Sequence, residues 1–368
     1  VTHLTGRDPE TYDVLEVSTS GGRITSVNRH ESTGEFPWIS AGLVDLQVNG
    51  YAGFDINSDD LSLDTLLGLR NALREVGVTT FVPTVVTGSR SRVRHAVATV
   101  SSARKANPAL ATAIPFVHLE GPYISAQDGP RGCHDAALVR PPDVAEFDDW
   151  QAAGDGVIGM VTFSPHWPNS ADFVRALRKR KILVAIGHTH ATPDQIHAAA
   201  DVGASFSTHL GNGAHATLPR HPNYLWSQLA DDRLTAGFIA DGHHLPADTF
   251  TAMLRAKGLD RAYLVSDVVA AGGLPPGRYQ LPVGGDVDVT EDGQLVVAGT
   301  PYLAGAAAPL SHGVATAMDL AGLPLADALC LAVRNPGRIA GTAGLQVGAP
   351  ADVITFEDGM RDIVVSEW

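Results

Sequence analysis

The chain is poor in cysteine, in positive charge and in long apolar runs. Of its 368 residues only Cys133 and Cys330 are cysteines, far apart and in no CxxC pair. That argues against a disulfide framework and makes a reducing cytoplasm the default expectation. Lysine plus arginine number 26 against 40 aspartate plus glutamate, a formal charge of −14. Nucleic acids are bound by basic surfaces, so a nucleic-acid binder is disfavoured, whereas a small anionic substrate is not, because a local pocket can be basic on an acidic protein. No apolar run reaches the roughly 20 residues of a membrane-spanning helix. Residues 1–16 lack the basic and apolar blocks of a signal peptide. The chain begins at Val1 rather than methionine, which leaves open a preceding segment.

What is present is a chain long enough for one large barrel and an accessory domain, with 44% hydrophobic residues to fill it. From residue 41 to 337 short β-branched or apolar runs alternate with polar loops and helical segments. Eight runs read as strands: 42–48, 79–84, 114–119, 157–163, 182–186, 204–208, 236–240 and 263–266. Eight parallel strands with intervening helices, such as 170–180 and 193–202, make a (β/α)8 TIM barrel. The ends differ. Short alternating strands at 14–17, 24–27, 352–356 and 363–365 suggest one small β-sandwich domain built from residues 1–40 plus 338–368. Residues 278–300 read as inserted hairpins, whose place against that domain or over the barrel mouth the pattern leaves open.

Three apolar runs end in a potential metal ligand: FVHLE at Glu120, VAIGH at His188 and FSTH at His209. In a parallel barrel the strands' C-terminal ends form the active site, so these side chains share one mouth. One carboxylate and two imidazoles with an open position suit a divalent metal in hydrolysis. A fourth run, AYLVSD, ends at Asp267. Asp267 reads either as a helix or loop cap or as the base that accepts a proton from water and returns it to a leaving amine. The small, flexible VVAAGG that follows favours the second role.

Taken together, AGLVDLQVNGYAGFDIN, HLEGPYIS with RGCHD, AIGHTHAT, THLGNGAHATLPRHP, FIADGHHL, LVSDVVAAGG and NPGRIAG resemble the amidohydrolase superfamily, and within it the N-acetylglucosamine-6-phosphate deacetylases. The resemblance implies Glu120, His188 and His209 as metal ligands and Asp267 as catalytic acid and base. It further implies His134 near the acetyl carbonyl, Asn212 and Gly213 on the sugar phosphate, Arg220 on the phosphate itself and His244 on the substrate, with His243 a bystander. The same likeness implies a homodimer acting on a small amino sugar, while cysteine usage, charge and the lack of long apolar runs lead to the expectation of a cytoplasmic protein with neither nucleic acid nor membrane as partner.

The chain departs from many amidohydrolases at strand one, where Gln47-Val48-Asn49 stands in place of HxH, and at strand four, where VIGMVTFSP offers no lysine to bridge two metals. Neutral amides are poor transition-metal ligands, so one ion per chain is expected, zinc first, with iron, manganese or cobalt as alternatives. GNGAH, with Ala214 where a methionine is more usual, and His166 in SPHW, where a carboxylate is usual, bear on which sugar is bound. Another N-acyl substrate, such as an unphosphorylated sugar or an N-acyl amino acid, would keep the metal and Asp267 but not need Arg220. A noncatalytic scaffold would be expected to have lost ligands, and all four central residues are present.

Overall fold

The computed structural model describes residues 2–300 and 302–366. Eight parallel strands follow one another around a single sheet: Leu43–Val48, Val78–Val86, Val117–Glu120, Ile158–Phe163, Leu183–Ile186, Phe206–Ser207, Thr235–Ile239 and Ala262–Val265. Every expected barrel strand is present. The third starts at Val117 rather than residue 114, because a helix, Pro108–Ala113, capped by Asn107 accepting from the N–H groups of Ala109 and Leu110, runs up to residue 113 and residues 114–116 lead irregularly out of it. The sixth is only two residues long.

Inward-facing side chains such as Val44, Leu46, Val82, Met160, Phe206, Ile239, Tyr263 and Val265 pack together and fill the barrel. Outside it, helices lay apolar stripes on the strands. Leu63–Glu75 buries Leu66, Leu69 and Leu73 at three- and four-residue steps. Pro193–Asp201 starts with a reciprocal capping box between Thr192 and Gln195. Strand eight meets strand one just past its own end. There the Asp267 N–H donates to the Gln47 carbonyl at 3.0 Å, the Asn49 N–H donates to the Val268 carbonyl at 2.9 Å, and Val48 bridges Val268.

The two ends of the chain share one six-stranded sheet, ordered Arg361–Val365, Val353–Glu357, Trp38–Ala41, Thr2–Arg7, Val14–Ser20, Arg23–His30. Thr2–Arg7 joins Trp38–Ala41 through the single pair Arg7 and Trp38. Leu15, Val17, Ile24, Ile39 and Val353 form its core. Arg74, in the first barrel helix, ties it down by donating to Asp352 at 3.2 Å and to the Ser366 carbonyl at 2.8 Å. The 278–300 region is a separate three-stranded antiparallel sheet, Gly277–Leu281, Gly285–Val289 and Leu295–Val297. Its apolar face, Leu281, Val287, Val289 and Leu295, packs on Ala270 and Ala271, directly after Asp267, so it stands beside the barrel mouth.

One buried amide fastens the last helix to the barrel. Asn335 Nδ2 donates to the carbonyls of Leu259 at 2.7 Å and Ala262 at 2.8 Å. Asn335→Ala leaves both acceptors without this donor and should cost about 1–3 kcal/mol in urea unfolding. An unchanged midpoint would remove Asn335 as an anchor.

Candidate active site

Glu120, His188 and His209 leave three different strand ends and meet at one point. Glu120 Oε1 lies 2.9 Å from His209 Nε2 and 3.2 Å from His188 Nε2, and the two Nε2 atoms are 3.1 Å apart. All three residues are buried. His188 and His209 adopt left-handed backbone angles, φ +47° and +27°, and so does Asp267 at +53°. Non-glycine residues held there carry strain of about 1–3 kcal/mol each, which the surrounding structure must enforce. The sharp turn aims each side chain across the mouth instead of along the next loop.

The donor chemistry of this triangle fits a divalent cation. His188 Nδ1 lies 2.7 Å from the Pro130 carbonyl, which can only accept; the ring proton therefore sits on Nδ1 and the Nε2 lone pair faces Glu120. With His209 Nε2 on the same carboxylate oxygen, three potential ligand atoms converge with edges of 2.9 to 3.2 Å. A tetrahedral site with bonds of about 2.0–2.1 Å has edges of roughly 3.4 Å, close to these. Burial opposes ionisation of Glu120, but the closeness of His188 and then His209 holds its carboxyl well below the ordinary range. His134 adds a fourth side chain: Glu120, His134 and His188 each offer an atom within 4.8 Å of the others. The tighter set contains His209.

The amides of strand one have a definite task. Gln47 Nε2 donates to both Glu120 Oε1 and Asp267 Oδ1, each at 3.0 Å, and Asn49 Nδ2 donates to the same Asp267 Oδ1 at 2.8 Å. Asp267 Oδ2 has no hydrogen bond among the described residues. Burial, and then the charge of Glu120, push the Asp267 carboxyl up to about 6. It is a carboxylate anchored by one oxygen and basic at the other.

Around this centre His134 stands edge-on to His188 with ring centroids 4.5 Å apart, and its Nδ1 bonds Thr87 Oγ1 at 2.8 Å. Burial, reinforced by His188, lowers His134 to about 3, so it is a neutral imidazole at working pH. His244 Nδ1 bonds Asp241 Oδ2 at 2.7 Å, and Asp241 Oδ1 also accepts the His244 backbone N–H, so the ring is clamped. The Asn212 N–H donates to the His209 carbonyl, while its Nδ2 is buried without a protein partner. Gly213 sits at φ +53°, and a Cβ there would fall 2.7 Å from His188 Nδ1, so only glycine lets this loop approach. Arg220 follows on the same loop but stands apart from the cluster, exposed and with no hydrogen bond or ion pair among the described residues.

Three supporting groups escaped the sequence reading: the Pro130 carbonyl, Thr87 and Asp241. Asp241 follows the seventh strand as Asp267 follows the eighth, and that placement was its available signal. Pro130 and Thr87 act through loop contacts that no local pattern announces. His166 is also polar-bound, its Nδ1 2.6 Å from Ser164 Oγ and its ring against His190 at 4.0 Å.

No family model matches the chain. It is 31% identical over 324 residues to the N-acetylgalactosamine-6-phosphate deacetylase of Escherichia coli O157:H7, covering 86% of this chain and 83% of that one. It is 34% identical over 340 residues to the N-acetylglucosamine-6-phosphate deacetylase of Bos taurus, covering 88% and 80%. Among solved structures, N-acetyl-D-glucosamine-6-phosphate deacetylase from Mycobacterium smegmatis matches with a TM-score of 0.85 and 30% identity, over 96% of this chain and 94% of that one. A 5-methylcytosine deaminase from Klebsiella pneumoniae shares the fold at TM-score 0.59 and 14% identity, over 99% and 94%.

Proposed function

Because the chain belongs to the N-acetylglucosamine-6-phosphate deacetylase family of the metal-dependent amidohydrolases, we propose that it hydrolyses the acetamide of N-acetylglucosamine 6-phosphate to glucosamine 6-phosphate and acetate. The observation that carries this reading is the buried Glu120–His188–His209 triangle sharing the Gln47 amide with Asp267. The related enzyme named for the galactosamine isomer leaves the C4 stereochemistry as the second candidate, and the same catalytic parts serve it. We assign residues 41–337 to the catalytic barrel and residues 1–40 plus 338–368 to an accessory β-domain. No helix among the described residues is long and apolar enough to cross a membrane, and we place the enzyme in the cytoplasm as a homodimer.

Glu120, His188 and His209 would hold one divalent ion, zinc by preference for this donor set. When bound, the ion supplies Lewis-acid polarisation of the acetyl carbonyl and eases proton loss from water at neutral pH. Asp267 Oδ2 accepts the proton of the attacking water, while Gln47 and Asn49 hold Oδ1 still. His134, neutral and fixed by Thr87, donates from Nε2 to the carbonyl oxygen as negative charge grows there. Collapse needs a protonated nitrogen. Asp267 returns the proton it took, and the amine leaves. His244, clamped by Asp241, together with Asn212 and Gly213 contacts the sugar, and Arg220 swings onto the 6-phosphate.

Gln47 and Asn49 spend their N–H groups on carboxylates, so activity should saturate at about one ion per chain after metal stripping and titration, by ligand count. A requirement for two equivalents would overturn the single-ion reading. Asp267→Asn should keep both fold and metal yet lose about 10²–10⁴ in kcat. Near-normal turnover would remove Asp267 from the proton path. Arg220 is exposed, so its contact sits at the low end for a charged hydrogen bond: Arg220→Ala should lower kcat/KM for the phosphorylated sugar about tenfold and spare the unphosphorylated one. Equal slowing of both sugars would sink the phosphate role.

A further inference from the structure

The loop that follows strand three, residues 121–134, covers His188. It supplies the Pro130 carbonyl that fixes the His188 proton at 2.7 Å, brings His134 edge-on to the same ring, and places Gly132 so that a Cβ there would sit 3.4 Å from His188 Cε1. Part of this loop is anchored from beneath: the Ser125 N–H donates to the His188 carbonyl at 2.9 Å, and Ser125 Oγ meets His190 Nδ1 at 2.6 Å. Its outer part, 126–129, is exposed. There a hydrogen-bonded chain joins it to the loop after strand six. Tyr224 Oη accepts the His215 backbone N–H at 2.8 Å, which leaves the phenol hydrogen to donate to His215 Nδ1 at 3.0 Å. The ring proton is therefore on Nε2, which donates to Gln127 Oε1 at 3.0 Å. Beside this link the two backbones nearly touch, since a Cβ on Gly129 would lie 2.9 Å from the Ala214 carbonyl oxygen and from His215 Cα.

We propose that His215 is a positioning residue for the metal centre: with Tyr224 behind it, it holds Gln127 and the outer half of the 121–134 loop down, so that the Pro130 carbonyl keeps the Nε2 lone pair of His188 aimed at the ion. His215 touches neither the triangle nor Asp267. It acts through four links, Tyr224 to His215, His215 to Gln127, Gln127 through the loop to Pro130, and Pro130 to His188. Tyr224 is a firm support because it opens the helix Tyr224–Ala230 and is itself buried. Gln127 is the exposed link that water can compete for. This proposal rests on the reading of Glu120, His188 and His209 as metal ligands.

The test measures loss of zinc from the purified holoenzyme to a chromophoric chelator, alongside metal content and thermal midpoint. Removing groups that orient a ligating histidine commonly costs about 10–100-fold in metal affinity, and His215 lies further out, so His215→Ala should release zinc about tenfold faster. Gln127→Ala should do the same. The double variant should be no worse than either single one, because both break one chain. Gln127 is exposed, so its variant carries the test if His215→Ala does not fold. Release at the wild-type rate in a folded variant, or effects that multiply in the double variant, would overturn the positioning role. Faster release that follows only a lowered thermal midpoint would also overturn it, in favour of general destabilisation. A wild-type enzyme that binds no metal would instead defeat the metal-centre reading, so the two failures are distinguishable.

Discussion

The barrel is closed by the same residues that hold Asp267, the proposed acid–base group. Where strand eight meets strand one, the Asp267 N–H donates to the Gln47 carbonyl while the Gln47 and Asn49 side chains donate to Asp267 Oδ1. Backbone and side chain of Asp267 are thus fixed by one segment. The other strand ends depend on this closure in turn, because Gln47 reaches from it to Glu120 and Glu120 gathers His188 and His209. A slip of one residue between strands one and eight would exchange inward and outward faces. It would separate the two carboxylates that Gln47 bridges, so the register of the sheet and the chemistry at its mouth are one constraint.

Much of this was legible in the sequence because a parallel barrel strand writes itself as a short apolar run, and the residue that ends the run lies at the mouth. Glu120, His188, His209 and Asp267 were all found that way. Thr2–Arg7 and Trp38–Ala41 were not. THLTGR is mostly polar, and Trp38–Ala41 pairs with Val353–Glu357, more than 300 residues away, so neither carries a local signal. The 278–300 region showed its strands but not its location, since that depends on Ala270 and Ala271 offering a small apolar seat. At strand one the sequence displayed the missing histidines. That the replacing amides would turn their N–H groups onto two carboxylates is a matter of geometry between distant strands.

The backbone conformation at the mouth explains why these side chains converge. A strand residue in the ordinary β region points in or out of the barrel and the chain continues upward. At His188, His209 and Asp267 the chain instead turns through the left-handed region. Such a conformation persists only where the surroundings over-determine it. Here His188 is held by its ring bond to Pro130, Asp267 by three hydrogen bonds shared with the end of strand one, and His209 by the Asn212 N–H on its carbonyl. The strain and the polar network support one another, which is the arrangement expected where a site must be rigid before its substrate arrives.

The asymmetry of Asp267 follows from the replacement of histidines by amides. Imidazoles at positions 47 and 49 would present lone pairs and invite a second cation, whose charge would draw the Asp267 carboxylate toward ligation and away from protons. Amide N–H groups do the reverse of inviting a cation. They occupy Oδ1 with two donors and leave Oδ2 without a protein partner. Burial raises the Asp267 carboxyl, which suits the proposed role of taking a proton from water and releasing it to an amine nitrogen. On the proposed single-ion reading the two amides also shape the surroundings of Asp267, so histidines placed at 47 and 49 would alter metal binding and the proton affinity of Asp267 together.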